Sequence, residues 1–164
     1  MEEKNSEKKR NIVVYAMVGL AIAAIAVSSI AGSEQDAAYK QGAQQFQSAI
    51  QKMNQKDYSG AEKDLQNVIT QYPDSFVVQW QYGASLAGQK KYQEANEWYV
   101  KARKQRPFLV QNQKYALQYG ELLIHLQDYK KAERYLQEVQ KLNKDPQLSA
   151  QATVLLQEVA AKTK

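Results

Sequence analysis

Two hydrophobic patterns divide the chain. From Ile12 to Ala31, twenty residues reading IVVYAMVGLAIAAIAVSSIA carry no charge, and the helix they predict is apolar on every face. At 1.5 Å per residue such a helix spans about 30 Å, the thickness of a bilayer's hydrocarbon core. Beyond it, apolar residues recur at helical spacing between short polar turns. Tyr39, Gly42, Phe46, Ala49, Ile50 and Met53 share one side of a first amphipathic helix. Leu148, Ala152, Leu155, Leu156 and Val159 share one side of a last one.

Between these ends the pattern repeats. Asp57-Tyr58-Ser59-Gly60-Ala61, Lys91-Tyr92-Gln93-Glu94-Ala95 and Asp128-Tyr129-Lys130-Lys131-Ala132 are copies of one string. Tyr58 to Tyr92 is 34 residues, and Tyr92 to Tyr129 is 37. Ala49, Gly83 and Gly120 keep the same intervals, as do Leu65, Tyr99 and Leu136, and Val68, Ala102 and Val139. The surplus of three falls around Phe108 to Gln113. Pro73 and Pro107 close the first two copies; the third has no proline until Pro146. Each copy predicts a pair of helices. The small residue at Ala49, Gly83 or Gly120 lets the second helix cross close to the first, facing Ala61, Ala95 or Ala132. Tyr58, Tyr92 and Tyr129 fill the wedge at the turn, and the prolines stop the second helices because they donate no backbone bond.

This register, over Gln41 to Lys144, resembles the tetratricopeptide repeat (TPR) family, whose period is 34 residues. The middle copy matches best, with Tyr82-Gly83, Leu86, Tyr92, Ala95, Tyr99, Ala102 and Pro107 in family register. The resemblance implies an all-α fold: a right-handed solenoid of helical hairpins in which stacking buries faces that one hairpin leaves bare. The expected layout is a basic tail over 1–11, a transmembrane helix over 12–31, and a linker with the start of the first helix over 32–40. Three repeats follow at 41–74, 75–108 and 109–145, then a capping helix and tail over 146–164. Ser33, with Glu34 and Asp36 in the first turn, is the expected cap of the first helix, and Asp145-Pro146 that of the last. Ala161 to Lys164 are expected to fray.

Charge around the apolar segment sets its orientation. Lys8, Lys9 and Arg10 precede it, whereas Glu34 and Asp36 follow it. A signal anchor with a cytoplasmic N-terminus and an extracytoplasmic repeat domain is therefore expected. The alternative is a signal peptide cleaved after Ser29-Ile30-Ala31, leaving a secreted repeat protein. Ala16, Gly19, Ala23 and Ala26 form a small-residue side through which two such helices could approach as a homodimer.

Composition narrows the chemistry. The chain of 164 residues has no cysteine, which excludes disulfides, thiol catalysis and cysteine-bound zinc. The net charge of +5 is scattered among glutamates and glutamines, so no nucleic-acid partner is expected. His125 is the single histidine, and Ser75 and Ser85 have no base placed by spacing. No glycine-rich phosphate loop occurs, and neither enzyme activity nor a cofactor or metal is expected.

The resemblance implies instead a concave face, lined by the first helices, that holds a protein or peptide partner. By register the first repeat contributes Phe46, Gln47, Ile50 and Met53. The second contributes Val77, Trp80, Gln81 and Ala84, and the third Leu117, Gln118, Glu121 and Ile124, with His125 nearby. Gln47, Gln81 and Gln118 are expected to form a polar ladder, and Phe46, Trp80 and Leu117 to be aromatic and apolar anchors or inter-repeat core. TPR domains that capture chaperone tails carry Lys and Asn at these places, so that mode of carboxylate capture is not expected here. The architecture resembles bacterial periplasmic or cell-surface TPR factors serving envelope assembly or protein translocation. The rival to such an adaptor is a self-associating structural scaffold.

Overall fold

The computed structural model describes residues 37–163. The apolar segment Ile12–Ala31, its side formed by Ala16, Gly19, Ala23 and Ala26, and the expected cap at Ser33 with Glu34 and Asp36 lie outside the described residues. Among the described residues no helix is long and apolar enough to cross a membrane. Gly42–Lys164 form one compact unit.

The chain folds as consecutive helical hairpins. Helix α1 covers residues 37–54 and is followed by α2 (Tyr58–Gln71), α3 (Phe76–Gly88) and α4 (Tyr92–Gln105). A 3-10 turn, Pro107–Gln111, leads into α5 (Gln113–His125), α6 (Tyr129–Leu142) and α7 (Pro146–Lys162). No strand occurs among the described residues. The three-residue surplus is thus absorbed by the 3-10 turn, which sinks Leu109 into the core, leaves Phe108 exposed and packs against α4, α5 and α6.

Second helices bury one stripe, in one register: Ala61, Leu65 and Val68 on α2, Ala95, Tyr99 and Ala102 on α4, and Ala132, Leu136 and Val139 on α6. First helices are sandwiched between neighbours. Every residue of α3 from Val78 to Leu86 is buried. Close approach within a hairpin is steric. A Cβ on Gly83 would lie 2.9 Å from the Tyr99 ring and 3.2 Å from the Ala95 carbonyl. One on Gly120 would lie 2.8 Å from Leu136.

The turns inside the hairpins share a backbone geometry. Lys56, Lys90 and Gln127 adopt φ of 62°, 63° and 60°. Behind each, two backbone bonds close the first helix: Lys56 N–H to Met53 O and Asp57 N–H to Lys52 O, with the same pair at Lys90 and Lys91 and at Gln127 and Asp128. This is the Schellman closure, made here without glycine. The second helix then starts under Asp57 or Asp128, whose carboxylates accept from the N–H groups of Gly60 and Lys131. Lys91 occupies that place in the middle hairpin and gives no side-chain cap. Its ammonium instead reaches Glu62 of α2 at 2.9 Å, where Gln89 Nε2 also donates at 2.7 Å. Burial raises the Glu62 pKa, but the Lys91 and Gln89 hydrogen bonds outweigh it and the net shift is downward. Asp64 is likewise held below its usual range, burial being outweighed by Lys52 at 2.6 Å and the Ser48 hydroxyl at 2.7 Å, which tie α2 to α1.

The expected stops hold in part. Pro73 and Pro107 follow α2 and α4, whereas α6 ends at Asn143, which turns left-handed with φ 39°. Asp145 caps α7 through the N–H groups of Gln147 and Leu148, with Pro146 in the first turn. At its far end α7 continues to Lys162, and the Thr163 hydroxyl donates back to the Val159 carbonyl at 3.0 Å. The outer face of α7 is not wholly polar, since Val154 is exposed. The buried Gln113 joins the last three helices. Its Nε2 donates to the carbonyls of Val139 and Asp145 and to Ser149 Oγ, while Oε1 accepts from the N–H groups of Lys144 and Asp145.

Two stability changes of opposite sign follow. Lys90→Gly should stabilise the fold by up to about 1 kcal/mol, because a left-handed residue with a Cβ is strained by roughly that amount. Gln113→Leu should destabilise it by roughly 2–3 kcal/mol, since two backbone N–H groups lose their acceptor. Urea titration followed by circular dichroism measures both.

Candidate functional site

An aromatic spine sets the shape of the site. Tyr99 of α4 stacks on Tyr119 of α5, with centroids 5.1 Å apart and planes 9° apart. Tyr115 lies against Tyr99 at 5.4 Å and meets Trp80 of α3 edge-on at 5.6 Å. The Tyr115 hydroxyl donates to the Tyr99 carbonyl at 2.8 Å. Trp80 Nε1 donates to Gln118 Oε1 at 2.9 Å, and the Tyr99 hydroxyl donates to the same oxygen at 3.4 Å. Burial pushes the Tyr99 and Tyr115 phenols well above their ordinary range, so both serve as neutral donors.

The spine leaves a groove of about 190 Å³ on the side formed by α1, α3 and α5. Met53, Ala84, Ala87, Gln118, Glu121 and His125 line it, joined by Tyr58, Gly88, Tyr92, Tyr99 and Leu122. The turn tyrosines have a longer reach than a wedge in their own turn. The Tyr58 ring lies directly against Gly88 of the next hairpin, where a Cβ would collide with it. Tyr92 makes the equivalent contact one unit on, stacking on His125 with centroids 4.4 Å apart and planes 6° apart. His125 is therefore exposed but not merely solvated: its ring is one face of the groove.

The expected groove residues separate into distinct groups. Met53, Ala84, Gln118 and Glu121 line the groove. Trp80, Gln81, Leu117 and Ile124 are buried, at 7%, 8%, 5% and 7% exposure, and Trp80 and Leu117 thereby take the second of their two expected roles, inter-repeat core. The physical reason is that first helices of neighbouring hairpins pack on each other: α3 touches α5, and α5 touches α7. Side chains at the Trp80 and Leu117 position fill those seams. Phe46 packs half-buried against the same core; Ile50 and Val77 are also half-buried and Gln47 is exposed, and none of the four lines the groove. The glutamine ladder does not form among the described residues, because Gln118 is engaged by Trp80 and Tyr99 while Gln47 faces solvent.

Residues missed by register are Tyr58, Tyr92, Ala87, Gly88, Tyr99 and Leu122. The tyrosine repeat was visible in the sequence, yet its contact with the following hairpin depends on how the units stack.

No family model matches the sequence, and no curated protein matches it. Solved structures do. The type III secretion chaperone SycD of Yersinia enterocolitica, in complex with a peptide of the translocator YopD, matches with a TM-score of 0.61 at 18% identity, over 74% of this chain and 93% of that one. The TPR2B domain of yeast Sti1, from its pHsp70 complex, matches with a TM-score of 0.64 at 15% identity, over 75% and 98%. The first TPR of Spaghetti (RPAP3), bound to the HSP90 peptide SRMEEVD, matches with a TM-score of 0.64 at 15% identity, over 76% and 94%. The hairpins of this chain thus form a tetratricopeptide-repeat fold.

Proposed function

We propose that this chain is a non-catalytic, membrane-anchored TPR adaptor that receives a segment of a partner protein in the groove between α1, α3 and α5. The observation that carries the reading is the groove itself. It stays open although Trp80 and Leu117 are withdrawn into the seams, and it mixes apolar walls (Met53, Ala84, Ala87) with the exposed Glu121 and His125. Its volume suits one or two side chains of a segment laid across it, anchored by burial and oriented by a few polar groups. The structural neighbours named with bound peptides support the same kind of ligand.

The anchor in this reading is Ile12–Ala31, twenty uncharged residues behind Lys8, Lys9 and Arg10. The positive flank keeps the N-terminus in the cytoplasm and carries the repeats outward. Retention of the apolar segment would hold the groove near the outer face of the membrane, where envelope assembly or translocation partners operate.

Ala87→Arg places a long side chain in the groove from a half-buried position, whereas a change at Trp80 would report on folding instead. In crosslinked membranes, partners captured by the wild-type chain should fall at least tenfold in Ala87→Arg, on the order of 1.4 kcal/mol; equal capture by the folded variant would sink the groove. For the anchor, the chain should resist carbonate extraction with Met1 intact and be digested by protease added outside. A soluble chain beginning at Gly32 would overturn it.

A further inference from the structure

A larger recess lies away from the groove. The backbones of the second helices α4 and α6 do not come close to each other, and side chains such as Arg103 and Tyr135 bridge the gap. The wedge between them encloses about 1040 Å³, floored by Tyr119 and Leu123 of α5 and bounded at one end by Val110 of the 3-10 turn. Phe108 of the same turn is 71% exposed. The three-residue surplus of the sequence thus supplies a wall of this wedge.

The wedge is charged in a particular way. Arg103, Lys131, Arg134 and Lys141 line it, against Asp128 and Glu138. Lys131 pairs with Asp128 at 2.6 Å and Lys141 with Glu138 at 3.6 Å. Neither arginine has a carboxylate partner among the described residues. Arg103 is nevertheless held in place: its Nη1 donates to the Tyr135 hydroxyl at 2.7 Å. Tyr135 is set edge-on to Tyr119 at 4.7 Å, and the Tyr119 hydroxyl donates to Asn96 Oδ1 at 2.8 Å. Burial pushes Tyr119 up to about 12, so the floor under the guanidinium stays neutral at physiological pH.

A guanidinium held through one nitrogen by a phenol oxygen retains its other donors for a carboxylate, which it binds in a planar fork. We infer that the α4–α6 wedge is a second docking surface, for an acidic segment of a protein partner whose carboxylates meet Arg103 and Arg134 while apolar side chains rest on the half-buried Val100 and Leu126. The recess exceeds what a lone anion fills. Asp128 and Glu138 on its wall oppose a continuous run of phosphates, whereas spaced carboxylates can avoid them. Val100 and Leu126, half-buried on the walls, favour a chain that alternates acidic and apolar residues. This surface is independent of the groove between α1, α3 and α5.

The test uses the full-length chain in mild detergent and a fluorescein-labelled peptide alternating glutamate and leucine, read by fluorescence anisotropy. Wild-type chain should bind saturably, and more weakly as salt rises. R103Q/R134Q should bind at least tenfold more weakly with an unchanged melting curve, both side chains being exposed. Ala87→Arg, in the other groove, should leave binding intact. The inference is overturned if the wild-type chain does not bind, if R103Q/R134Q binds equally, or if a glutamine–leucine peptide binds as well. Loss of binding in Ala87→Arg would return the peptide to the groove. Equal competition by single-stranded DNA, or a wild-type dimer that excludes the peptide, would assign the wedge to a different occupant and overturn it also.

Discussion

The missing side chain at Gly83, and again at Gly120, sets how near two helices of a hairpin come. With the second helix against the backbone of the first, Tyr99 and Leu136 lie where a Cβ would otherwise stand. Dispersion falls off steeply with separation, so this proximity converts a polar-rich sequence into a dry seam. The buried stripes of α4 and α6 depend on it, and so does the aromatic spine. Tyr99 belongs at once to the seam with Gly83 and to the stack with Tyr119.

Stacking one hairpin on another uses different chemistry. Tyr58 crosses to Gly88, and Tyr92 crosses to His125. Lys91 and Gln89 hook back to Glu62, and Gln113 pins the turn before α7 by both ends of its amide. These polar links are directional, whereas apolar burial alone would tolerate sliding of one unit over the next. First helices are enclosed on both sides by this stacking, which explains why α3 is buried over successive residues while α2, α4 and α6 bury only a stripe.

The same geometry leaves two unequal recesses. The groove on the first-helix side is small, because Trp80 and Leu117 close the seams beside it. The wedge on the second-helix side is large, because α4 and α6 are separated by α5 and the added 3-10 turn. One recess offers Glu121 and His125 over apolar walls, the other offers arginines over tyrosines. Their chemistry differs enough that the two surfaces would select different ligands.

The repeating hairpins were legible in the sequence, since three copies agreed at intervals of 34 and 37 residues and spacing alone reveals a helical stripe. The buried register from Ala61 to Val139, the cap at Asp145 and the site of the surplus were all readable there. Less of the groove was legible: Met53, Ala84, Gln118 and Glu121 line it, whereas Trp80, Gln81, Leu117 and Ile124 belong to the interior. Helical periodicity says which residues share a face, but not whether that face meets solvent or a neighbouring helix. The left-handed closures at Lys56, Lys90 and Gln127 left no signal either, because lysine and glutamine are not residues that mark such turns. The sequence by itself determined the hairpins and their order. Only the tertiary structure decided which faces stay open, because exposure on a first helix depends on how closely the next unit approaches, and that distance is set by contacts between residues some 30 or more positions apart.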